Sequence, residues 1–123
     1  MIRGFVDYRY QAVVRLRVRG PGGAETDVGT VIDSGFTDSL TLPAVTIAVL
    51  GLVRQTGGKA VMADGSLHPF DHYAAEVEWD GVWRPVIVSA LGDEALLGMR
   101  LLAGHELRIE VVPGGVVAIT PLP

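Results

Sequence analysis

The sequence predicts a mainly antiparallel β fold with about two short helices, on three observations. Over residues 14–19, Val14, Leu16 and Val18 alternate with Arg15, Arg17 and Arg19, the period of two that gives a strand one buried and one wet face. Sixteen glycines in 123 residues exceed the background of about 7%, so the chain is rich in tight turns. Asp64-Gly65 and Asp80-Gly81 are both signals for two-residue type I′ hairpin turns, which need positive φ at both central positions.

Taken in order, residues 14–19 are the clearest strand. Gly20-Pro21-Gly22-Gly23 supplies turn chemistry and residues 28–32 resume an apolar extended run, so the two read as a hairpin that delivers Asp33. Leu40-Thr41-Leu42 is a short extended piece. Pro43 suits a first helical position and Gly51 a C-terminal cap, which predicts a helix over 43–50 although Val45, Thr46, Ile47 and Val49 are weak helix formers. Around Asp64-Gly65, residues 59–63 are expected to pair with 66–70. Around Asp80-Gly81, residues 74–79 pair with 82–88, where Pro85 implies an edge or a bulge. A second short helix follows Gly98, with Asp93 and Glu94 suited to its N-terminal dipole. Residues 105–112 and 116–120 straddle Pro113-Gly114-Gly115 and form a last hairpin.

The length permits one core but not two, so residues 1–123 read as a single domain. Hydrophobic residues at 49% and charged residues at 20% give a globular composition. A formal charge of −4 opposes the positive potential that nucleic acid or an anionic membrane requires, so neither is expected as a partner. Without cysteine there are no disulfides and no thiolate metal sites. The first ten residues break their apolar positions with charges, unlike a signal peptide, and no window approaches the roughly 18 uninterrupted apolar residues of a membrane span. A soluble, cytoplasmic protein is the expectation.

Val31-Ile32-Asp33-Ser34-Gly35 places a carboxylate where a strand leaves the core and a turn begins. Alone, Asp-Ser-Gly is common turn vocabulary and its aspartate an ordinary local cap. Together with Leu96-Leu97-Gly98 downstream, it resembles the paired hydrophobic-Asp-Ser/Thr-Gly and hydrophobic-hydrophobic-Gly motifs of the retropepsin-like aspartic proteases. The resemblance extends in order over nearly the whole chain. Phe36-Thr37, Leu42-Pro43 and the run Leu97-Gly98-Met99-Arg100-Leu101-Leu102 bring it nearest to small prokaryotic members.

That resemblance implies a closed retropepsin-like β-barrel with a flap hairpin, and an aspartic endopeptidase that needs no metal or organic cofactor. Two carboxylates about 3 Å apart share one proton, and one chain holds a single Asp-Ser/Thr-Gly, so a catalytic form must be a homodimer joining Asp33 to Asp33. By the same resemblance, Ser34 braces the loop across the two-fold axis and Gly35 allows close backbone approach. Leu96, Leu97 and Gly98 support the Asp33 loop from behind. Ala63, Asp64 and Gly65 form the tip of a flap over a peptide or protein substrate, and residues 1–11 and 116–123 are candidates for the dimer interface. Two positions depart from viral members: the large Phe36, a candidate for filling a substrate pocket or covering the dyad, and the flap tip Met62-Ala63-Asp64-Gly65-Ser66, which is charged and less glycine-rich.

The rival reading is a retropepsin-fold module that binds a peptide or assembles with a partner without cutting, since one fold hosts many functions. Other residues read as structural. His68 and His72 would share a face only on a helix, which Pro69 opposes, so with His105 they are surface histidines. Ser34, Ser39, Ser66 and Ser89 lack a nucleophile-elbow pattern, and Gly20-Pro21-Gly22-Gly23 lacks the lysine and hydroxyl of a phosphate loop. Trp79 and Trp83, on either side of one turn, suggest a cross-strand aromatic contact.

Overall fold

The computed structural model describes residues 1–61 and 63–123, with the backbone alone for 56–61 and 67–70. In chain order the strands are β1 (Ile2–Val6), β2 (Ala12–Arg19), β3 (Glu25–Ile32) and β4 (Leu40–Thr41), then helix α1 (Ala44–Val49). There follow β5 (Arg54–Val61), β6 (Leu67–Trp79), β7 (Val82–Ala90), β8 (Leu96–Leu97), helix α2 (Met99–Leu102), β9 (His105–Ile109) and β10 (Val116–Pro121). Hydrogen bonding runs β5-β6-β7-β4-β8-β3-β2-β1-β10-β9, and a further pairing of β6 with β2 closes β2, β3, β8, β4, β7 and β6 into a six-stranded barrel.

The alternation in β2 is realised as expected: Val14, Leu16 and Val18 are buried and Arg15 and Arg17 exposed. With Leu40, Val77, Val88, Leu97, Leu101 and Ile119 they form the core, and burying each such side chain contributes about 1.5–3 kcal/mol. The barrel seam pairs Arg17, Val18 and Arg19 with Glu78, Val77 and Glu76. Arg19 bonds Glu76 at 3.1 Å and lies 4.0 Å over the Trp83 ring. Among the described residues no helix is long and apolar enough to cross a membrane.

Several expectations are refined. Pro43 has extended ψ (153°) and caps α1 rather than starting it, while Gly51 takes the left-handed φ of +64° expected of a C-terminal glycine. Residues 67–79 form one long strand, not two. Pro85 pairs with Glu76 on a stretch of β7 that β4 does not reach, because β4 meets only Val88 and Ser89. Pro85 therefore sits on a local edge, where its missing N–H leaves no ladder bond unmade. Asp80 and Gly81 both have positive φ, as a type I′ turn needs, but at the other hairpin only Gly65 does. Asp64 instead accepts the Ser66 N–H at 2.9 Å through its carboxylate, a side-chain turn that needs no positive φ at the aspartate.

Asp93 and Glu94 precede β8 and not α2, whose first turn holds no acidic residue. A two-residue turn aligns Trp79 with Val82 and Trp83 with Glu78, so the two tryptophans occupy opposite faces. Trp79 instead meets His105 edge-on, its Nε1–H donating to Nε2 at 3.2 Å. That bond leaves Nδ1 to donate to the Ala103 carbonyl, 3.0 Å away. His105 is thus a packed structural residue, and the side chain of His68 lies outside the described residues.

Candidate active site

Asp33 follows directly on β3, where parallel pairing with β8 aligns Val31 with Leu96 and Ile32 with Leu97. The ladder continues one step, since Asp33 N–H donates to the Leu97 carbonyl at 3.0 Å. Leu97 is fully buried, so the strand behind Asp33 is anchored in the barrel core. The chain then turns: Phe36 N–H donates to the Asp33 carbonyl at 3.1 Å, and Gly35 N–H donates to Asp33 Oδ1 at 2.9 Å. Asp33 is half-buried, with Oδ2 bonded to no other described residue of the chain, while Ser34 and Gly35 are exposed.

Gly35 and Gly98 are both fixed by close approach. A methyl group on Gly35 would stand 3.2 Å from Asp33 Oδ1, crowding the oxygen its own N–H holds. On Gly98 it would stand 2.0 Å from the Asp38 carbonyl oxygen and 2.6 Å from Phe36 Cδ2. Phe36 therefore rests against Gly98, and its carbonyl accepts the Met99 N–H at 2.9 Å. Gly98 N–H in turn donates to the Ser39 carbonyl at 2.9 Å. These bonds tie residues 33–39 to the start of α2 on one side and to β8 on the other.

Thr41 locks the approach to β8. Its buried Oγ1 donates to the Glu94 carbonyl at 2.7 Å and accepts the Leu96 N–H at 2.8 Å, while Val31 N–H donates to the Ala95 carbonyl at 2.9 Å. Nearby Ser89, level with Thr41 in the β4–β7 register, is buried with no partner for its hydroxyl among the described residues.

A groove of about 530 Å³ opens beside this loop, lined by Asp38, Ser39, Gln55, His72, Ile87 and Arg100. Its walls are the segment after Asp33, the first turn of α2, the outer face of β7 and the base of the β5–β6 hairpin. Arg100 and Asp38 face each other at 3.8 Å, and Arg54 bonds Asp71 at 2.7 Å across the hairpin base. The hydrogen bonds from Ser66 hold the Asp64 carboxyl below its ordinary range. Asp33, Phe36 and the tip residues Ala63, Asp64 and Gly65 do not line the groove.

The sequence motifs therefore meet: Asp33 with Leu97 by hydrogen bond, and Phe36 with Gly98 by packing. By sequence, Ser39 and His72 are weighed only to be set aside and the groove residues are not brought together, because they come from five separate segments and carry no shared spacing. Among the described residues no three His, Asp or Glu side chains gather as a metal site. No protein-family model, curated protein or solved structure matches the chain.

Proposed function

We propose that this chain is one half of an aspartic endopeptidase, two copies of which bring their Asp33 carboxylates together on a shared water. The observation that carries the reading is the state of Asp33: its N–H is bonded to the Leu97 carbonyl and its Oδ1 to the Gly35 N–H, its Oδ2 is bonded to no other described residue, and the segment that follows it borders a groove. Fixing one oxygen while leaving the other unbonded sets the orientation of the carboxylate.

In the paired site the two Asp33 groups share one proton. The ionised one takes a proton from water as its oxygen attacks the peptide carbonyl, and the other donates its proton to the carbonyl oxygen. Collapse of the tetrahedral adduct breaks the C–N bond and returns a proton to the leaving amine, giving acid and amine products. The groove lined by His72, Ile87 and Arg100, which the segment after Asp33 also borders, offers space for part of a substrate.

The test is digestion of a diverse peptide pool from about pH 3 to 7, beside Asp33→Asn. The asparagine carbonyl still accepts the Gly35 N–H, so the loop keeps its shape while the shared proton is lost. Cuts that disappear in the variant support the reading. A folded dimer that binds peptides but makes no Asp33-dependent cut is a binding module instead.

A further inference from the structure

The resemblance points to the terminal segments as the dimer interface, but both are already used within the chain. β1 pairs with β10 from Ile2↔Ile119 to Phe5↔Val116, and each has a strand on its other side. The unpaired edge on this side of the sheet is β9. We infer that the second copy docks there, β9 against β9 in antiparallel two-fold pairing centred on Leu107. The inference rests on the reading of the chain as half of a paired site and names the edge through which two copies associate.

The phase of the ladder decides which groups are available. Glu110 N–H donates to the Val116 carbonyl at 2.9 Å and Leu122 N–H to the Gly104 carbonyl at 2.9 Å. With the register Arg108↔Ala118 and Glu106↔Thr120, the backbone groups of Glu106 and Arg108 turn toward β10. Those of His105, Leu107 and Ile109 point to the open side. A second β9 meets them with Leu107 opposite the partner's Leu107 and His105 opposite the partner's Ile109.

Charge then selects this register over its neighbours. Centred on Leu107, Glu106 lies opposite the partner's Arg108 and Arg108 opposite the partner's Glu106, in the closer, non-hydrogen-bonded pairs. Moving the centre to residue 106 sets glutamate against glutamate, and moving it to 108 sets arginine against arginine. Both side chains are exposed, and among the described residues neither makes an ion pair inside the chain. The charges that ordinarily guard an edge strand are here complementary to a copy of themselves in this register.

Sedimentation of the full chain at about 0.1 M salt tests this with three variants. The wild type is expected to dimerise, and Arg108→Glu or Glu106→Arg alone to raise the dimer Kd at least about tenfold. The double exchange restores the opposite-charge pairs and is expected to return Kd to within about threefold of wild type. Circular dichroism confirms that each variant is folded. A monomeric wild type, or a dimer indifferent to the single exchanges, overturns β9 pairing. Loss of cleavage in Asp33→Asn is read separately: a charge-sensitive dimer that cuts nothing overturns the peptidase reading alone, and a cutting dimer indifferent to the exchanges overturns only the interface.

Discussion

Gly98→Ala is the sharpest probe of how the Asp33 loop is held. Its new methyl would stand 2.0 Å from the Asp38 carbonyl oxygen and 2.6 Å from Phe36 Cδ2, and the first of these is backbone that cannot rotate away. Relief requires residues 36–39 to move off the start of α2, which loosens the Gly98-to-Ser39 and Met99-to-Phe36 bonds, each 2.9 Å long. Overpacking of this kind costs about 1–3 kcal/mol, and a clash with backbone belongs at the upper end. At an unfolding entropy of about 2.1 cal/mol/K per residue, 3 kcal/mol in a 123-residue chain lowers Tm by about 12 °C. Thermal unfolding followed by circular dichroism reads the shift. Adding Phe36→Ala removes the ring contact but not the carbonyl contact, so most of the loss should persist. A Gly98→Ala protein melting within about 2 °C of wild type would refute the account of the loop as wedged between β8 and α2.

Thr41→Val keeps the shape but leaves the Glu94 carbonyl and Leu96 N–H without their partner, and should cost about 2–4 kcal/mol in urea denaturation. Ser89→Ala, by contrast, removes a buried hydroxyl that bonds nothing described, so its midpoint should stay level or rise; a large fall would reveal a partner for that hydroxyl. Asp64 has its folded pKa lowered by the Ser66 hydroxyl and N–H. A lowered value means the tip turn is fully stabilised above the ordinary aspartate pKa of 3.8 and loses that contribution as pH falls through the folded value. Amide NMR should show the Ser66 signal constant from pH 7 to about 4 and shifting only in stronger acid; a midpoint above 3.8 contradicts the turn.

The sequence was most legible where structure is local. The β2 alternation, the Asp80-Gly81 turn, the short helix after Pro43 and the last hairpin all depend on neighbours a few residues apart. Asp64-Gly65 went astray because aspartate can satisfy a turn through its side chain as well as through positive φ, and the dipeptide does not distinguish the two. The tryptophans went astray because four residues of separation across a two-residue turn places them on opposite faces. Leu96-Leu97 was recognisable as a motif, yet its parallel pairing with β3 joins distant segments and leaves no periodicity to read. Likewise the groove draws Gln55, His72, Ile87 and Arg100 from separate strands and a helix, so only the folded chain assembles it.

The seam between β2 and β6 has a kinetic consequence. Hairpins β2–β3, β6–β7 and β9–β10 each close a loop of a few residues, whereas Arg19 and Glu76 are 57 residues apart. Chain entropy opposes that longer closure, so the hairpins form early and the ring is completed late. Until then β2 and β6 each offer a bare hydrogen-bonding edge next to apolar residues, the condition in which chains pair with one another instead of with themselves. Three residue pairs, two of them arginine facing glutamate, cover those two edges once the ring has closed.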